Sequence, residues 1–89
     1  MPKFHKLGGT DSYLFFCPGC KSVHRVPVTG PKAWEWNGDI ENPTISPSYQ
    51  VVSNDFACHL YIKNGMIEYL ADCHHPLAGR TVPLPEFRV

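Results

Sequence analysis

Apolar and polar positions alternate through Ala57–Lys63 and again through Met66–Asp72, with Asn64-Gly65 between the two runs. An Asn-Gly pair flanked by alternating residues predicts a two-residue type I′ hairpin turn, so Lys63 is expected opposite Met66. Counting back from the turn puts Leu60 opposite Tyr69, His59 opposite Leu70, Cys58 opposite Ala71, Ala57 opposite Asp72 and Phe56 opposite Cys73. Because neighbours along a strand point to opposite sides, Cys58 and Cys73 should share one face with Leu60, Ile62, Ile67 and Tyr69. His59 and Asp72 should share the other, beside Tyr61 and Glu68. A one-residue slip would mix the two sets, so the reading depends on the turn type.

Shorter alternating or apolar runs predict further strands at Tyr13–Phe16, Val23–Val28, Lys32–Trp36, Ser48–Val52 and Thr81–Leu84. Asn37-Gly38 is a second candidate hairpin turn, although the segment from Asp39 to Pro43 makes a poor returning strand. The stretch Asn42-Pro43-Thr44-Ile45-Ser46-Pro47-Ser48 reads as a loop stiffened by its prolines, since a residue preceding proline is pushed into extended geometry. Pro76-Leu77-Ala78-Gly79 reads as a single turn. No window has a sustained helical period. The expected fold is a mostly β, small antiparallel sheet and hairpin domain spanning residues 1–89.

A chain of 89 residues with nine prolines and seven glycines has little core to rely on, so a covalent or metal staple is expected. Its eight Lys and Arg residues balance eight Asp and Glu and are scattered, which argues against nucleic-acid binding. No apolar run is long enough to span a membrane. The start of the chain lacks the apolar stretch of a secretory signal, so a cytoplasmic, reducing location is expected, where four cysteines favour a metal over disulfides.

Cys17-Pro18-Gly19-Cys20 is a C-x-x-C knuckle after an apolar strand, with Gly19 expected to permit the tight turn. The hairpin register supplies Cys58 and Cys73 as the second pair. This gives an expected site of Cys17, Cys20, Cys58 and Cys73 holding a structural Zn2+, because four thiolates leave no open coordination position for water. His24 and His75 are the rival ligands, either of which could replace one cysteine.

On the open face, His59 and Asp72 form a candidate base and orienting carboxylate. The alternative is a cross-strand pair exposed to solvent. Ser48, held by Pro47 at the entry to a strand, is the candidate nucleophile, because a serine hydroxyl is inert until a nearby base takes its proton. Ser46 competes with it, and its alternative role is turn capping. Trp34 and Trp36 read as core packing.

Taken together, Phe16-Cys17-Pro18-Gly19-Cys20 with His24, Trp36-Asn37-Gly38, Pro43-Thr44-Ile45-Ser46-Pro47-Ser48, Cys58-His59, Gly65, Asp72-Cys73-His74-His75, Leu77-Ala78-Gly79 and Thr81-Val82-Pro83-Leu84-Pro85 resemble a family of small phage and prophage proteins. That family is similar to peptidases encoded beside bacterial ubiquitin-like conjugation genes, in which a Pro-Ser element and a Cys-His strand recur. The resemblance implies a serine hydrolase acting on a protein or peptide, a ubiquitin-like C-terminus being the substrate expected. Its serine and histidine carry over to Ser48 and His59, with Asp72 as the third member. A non-catalytic zinc-binding adaptor is the alternative function.

Overall fold

The computed structural model describes residues 2–53 and 56–87 and is all β, with no helix among them. Strands β1 (His5–Lys6), β2 (Ser12–Cys17) and β3 (Ser22–Pro27) form one antiparallel sheet in that order. Strands β4 (Glu35–Trp36), β5 (Ile45–Ser53), β6 (Phe56–Lys63), β7 (Met66–Tyr69) and β8 (Thr81–Pro83) form a second, also in chain order. Both sheets contribute to one core. Phe4, Phe15 and Val26 meet Ile45, Tyr49, Leu60, Ile62, Ile67, Tyr69 and Leu84 there.

The β6–β7 hairpin has the expected register, with Lys63 opposite Met66 and Leu60 opposite Tyr69. Asn64 and Gly65 both carry positive φ, 50° and 77°, as a type I′ turn demands. Beyond Tyr69 the expected strand stops. The Leu70 amide still donates to the His59 carbonyl (2.9 Å), but the chain then turns, with the Cys73 amide donating to the Leu70 carbonyl (3.2 Å). His74, two residues beyond the Asp72 of the expected ladder, donates to the Ala57 carbonyl (2.8 Å). This departure changes which side chain reaches the cysteine face.

Two other expectations are corrected. Asn37-Gly38 does not make a two-residue hairpin: Asn37 pairs with Thr44, its amide donating to the Thr44 carbonyl (3.1 Å). Between them, the Asn37 side chain accepts from the Asp39 and Thr44 amides and the Asp39 carboxylate accepts from those of Glu41 and Asn42. The expected proline loop is irregular only over Asn42, Pro43 and Thr44, and its remainder, from Ile45 to Ser48, is the first part of a long strand. Ile45 stands opposite Ile62 and Tyr49 opposite Leu60, so Ser46, Pro47 and Ser48 together face the single residue Tyr61 in a bulge.

Candidate active site and metal centre

The bulge sets the direction of Ser48. Beyond it, Gln50 is opposite His59, so Ser48 lies one step diagonally from the histidine on the same face. The Ser48 Oγ is 2.9 Å from His59 Nε2. On the other side of the ring, His59 Nδ1 is 3.3 Å from an Asp72 carboxylate oxygen. The imidazole side chain is 24 % exposed and the carboxylate side chain 61 %, so the group opens to solvent. The turn after Leu70 delivers Asp72 here even though no strand carries it. Ser46, the competing serine, lies on the exposed bulge, its backbone paired with Glu35.

Trp34 has a role that core packing did not suggest. Its indole N–H donates to the Ser48 carbonyl (3.1 Å) and its ring lies against Tyr49, centroids 4.9 Å apart. Tyr49 in turn donates to the Arg25 carbonyl (2.6 Å), tying the strand of the serine to the other sheet. Nothing in the spacing of Trp34-Glu35-Trp36 could have revealed that contact, because it depends on the bulge in β5.

On the opposite face, Cys17, Cys20, Cys58 and His75 offer four ligand atoms that all lie within 4.8 Å of one another. Cys17 ends β2 and Cys20 follows in the knuckle, where the Cys20 amide donates to the Cys17 sulfur (3.4 Å). Cys58 is fully buried on β6, the neighbour of His59 but on the other face. His75 accepts the Leu77 amide at Nδ1 (3.2 Å) and brings Nε2 within 3.3 Å of the Cys58 sulfur. Tyr69 supports the knuckle. Its hydroxyl accepts from the Gly19 amide (3.0 Å), lies 3.1 Å from the Cys17 sulfur, and its ring meets His75 edge-on.

Cys73, the expected fourth ligand, stands outside this cluster. Because the chain turns at Leu70, its sulfur reaches the main chain of His59 instead, and His75, one of the two rival ligands, stands in the cluster in its place. His24 is also outside the cluster, with its ring against Phe15 and Tyr49, although it lies close enough to Cys17 to act on its ionisation. The role of Gly19 changes with the ligand. A Cβ there would come within 2.3 Å of the His75 ring, so glycine makes room for the histidine. The left-handed residue of the knuckle is Lys21, at φ 57°.

The donor set fits a cation. Cys17 is held far below the ordinary thiol range, to about 3, chiefly by its hydrogen bond with Cys58. The same bond pushes Cys58 up, and burial pushes Cys20 up to about 11. In effect one thiolate is shared by sulfurs too close to ionise together. A divalent ion would supply the charge that removes the remaining protons. Three sulfurs and one imidazole within reach of one point, with a glycine clearing space for the ring, therefore constitute a candidate metal site.

Among protein families, the chain matches the bacterial ubiquitination-like system serine proteases (BubE) over residues 3–70. The chain belongs to this family. The matched stretch holds Ser48, His59 and the three clustered cysteines, and it ends just before Asp72, Cys73 and His75. Comparison with curated proteins and with solved structures gives no match. No described helix is long and apolar enough to cross a membrane.

Proposed function

We propose that the protein is a serine peptidase in which Ser48 is the nucleophile, His59 the general base and Asp72 the carboxylate that orients it. The observation that carries this reading is the pair of hydrogen bonds on opposite nitrogens of one imidazole, 2.9 Å to Ser48 Oγ and 3.3 Å to Asp72. Family membership supports it. His59 Nε2 takes the Ser48 proton as Oγ attacks the acyl carbon of the scissile bond. The imidazolium, stabilised by Asp72 at Nδ1, then gives that proton to the departing amine, leaving an ester on Ser48. Water, deprotonated by the same nitrogen, hydrolyses the ester and returns the proton to the serine.

The substrate we assign is a protein whose ubiquitin-like C-terminus is trimmed or released. Support comes from the family's description as part of a ubiquitination-like system and from the exposure of Ser46, Pro47 and Gln50 around the serine. Cys17, Cys20, Cys58 and His75 would hold zinc, which suits three thiolates and an imidazole in a closed tetrahedral set. These four residues would then tie the fold together through the ion, and the chemistry would stay with Ser48 and His59 on the opposite face. The test is cleavage of ubiquitin-like proteins extended at the C-terminus. Wild type should release the extension and Ser48→Ala should not; equal cleavage by both would refute the assignment.

A further inference from the structure

One cysteine is absorbed by neither site. Cys73 is only 8 % exposed, lies outside the metal cluster, and directs both its hydrogen-bonding capacities at a single residue. Its sulfur accepts the His59 amide (3.2 Å) and donates to the His59 carbonyl (3.1 Å). A thiol has one proton to donate and lone pairs to accept with, so both contacts can be made together.

We propose that Cys73 is a positioning residue that fixes the spacing of base and orienter; this rests on the serine-hydrolase reading above. His59 lies on β6, whereas Asp72 lies in an irregular segment with no ladder of its own. Cys73 directly follows Asp72, and its sulfur is bonded to the main chain of the residue that Asp72 must meet. The Leu70 and His74 amides bond to the His59 and Ala57 carbonyls on either side, so Cys73 supplies the middle tie, immediately beside Asp72. Without it, the segment keeps its ends but loses the anchor that holds the carboxylate 3.3 Å from His59 Nδ1. A merely space-filling cysteine would be replaceable by any small apolar side chain. A positioning cysteine is replaceable only by a side chain that both donates and accepts.

The experiment compares Cys73→Ala, Cys73→Val and Cys73→Ser with wild type, reading the rate at which a fluorophosphonate labels Ser48, the metal content, and amide hydrogen exchange at His59. The alanine and valine variants should label roughly tenfold more slowly and exchange the His59 amide roughly tenfold faster, as a loss of about 1.4 kcal/mol over the two bonds predicts. Serine should recover both to within about threefold, its hydroxyl replacing the thiol as donor and acceptor. All three should keep their metal. Wild-type labelling and exchange in Cys73→Ala and Cys73→Val would overturn the proposal, as would loss of metal from Cys73→Ser, which would make the sulfur a ligand. A wild type that does not label would count against the serine-hydrolase reading, and the exchange measurement would still decide whether Cys73 anchors His59.

Discussion

At the scale of single residues, the candidate active site is one imidazole with a different partner on each nitrogen. In the proposed mechanism Ser48 and His59 act on the same proton, so removing either should abolish nearly all turnover, by about 10⁴-fold or more. Asp72 is mostly exposed and water screens its charge on the ring, so Asp72→Asn should cost less, on the order of 10²-fold in kcat. Steady-state cleavage by the three variants checks the order. On the opposite face, Gly19→Ala places a methyl where the His75 ring now sits. Its expected effect is weaker metal retention with Ser48 still in reach of His59, and a competitive chelator titration would measure it.

His75 shows where reading the residues alone fell short. Cys58 and Cys73 are the pair that the hairpin ladder favours, and the ladder holds as far as Leu70. It fails at Cys73 because the Leu70 carbonyl is taken by the Cys73 and Gly79 amides, a choice made by the turn and not by alternation. Asp72 meets His59 as the ladder predicts, although the register does not extend to it: the turn brings the carboxylate there by another path. His59 and Cys58 were legible because alternation along a strand depends on nothing further away.

At the scale of elements, a turn and a bulge place the side chains of the candidate site. The Asn64-Gly65 turn sets the register that separates His59 from Cys58, and the β5 bulge aims Ser48 along that register. The turn was readable, since left-handed geometry has a residue signature. The bulge was readable only as stiffness, because two prolines and two serines do not say how many residues will oppose Tyr61. Gly65 has φ 77°, and a Cβ there would lie 3.0 Å from both Asn42 Oδ1 and Lys3 Nζ. Gly65→Ala should therefore destabilise the fold by about 1–2 kcal/mol, from left-handed strain plus crowding. Urea denaturation would measure the loss, and an unchanged midpoint would show that the turn adapts.

Across the whole molecule, the candidate metal ligands bring together what the strands leave separate. Cys17 and Cys20 belong to the β2–β3 hairpin, Cys58 to the other sheet, and His75 to the segment that carries Asp72. A small core shared by two sheets gains much from a tie at that junction, and metal-binding energy is then folding energy. Stoichiometric zinc by elemental analysis is the expected result, and a strong chelator should abolish cooperative unfolding. A zinc-free protein whose fold survives chelation would remove the metal from the account. Loss of the ion should also reach the opposite face, because Cys58 precedes His59 and His75 lies three positions after Asp72.

Activation of Ser48 by His59 is tested by the site and rate of covalent labelling by a fluorophosphonate, mapped by mass spectrometry. A single adduct on Ser48 is expected in the wild type, with labelling reduced by about 10²-fold or more in His59→Ala, as loss of a general base requires, while metal content is unchanged. An adduct on another residue, or Ser48 labelled equally fast without His59, would contradict it.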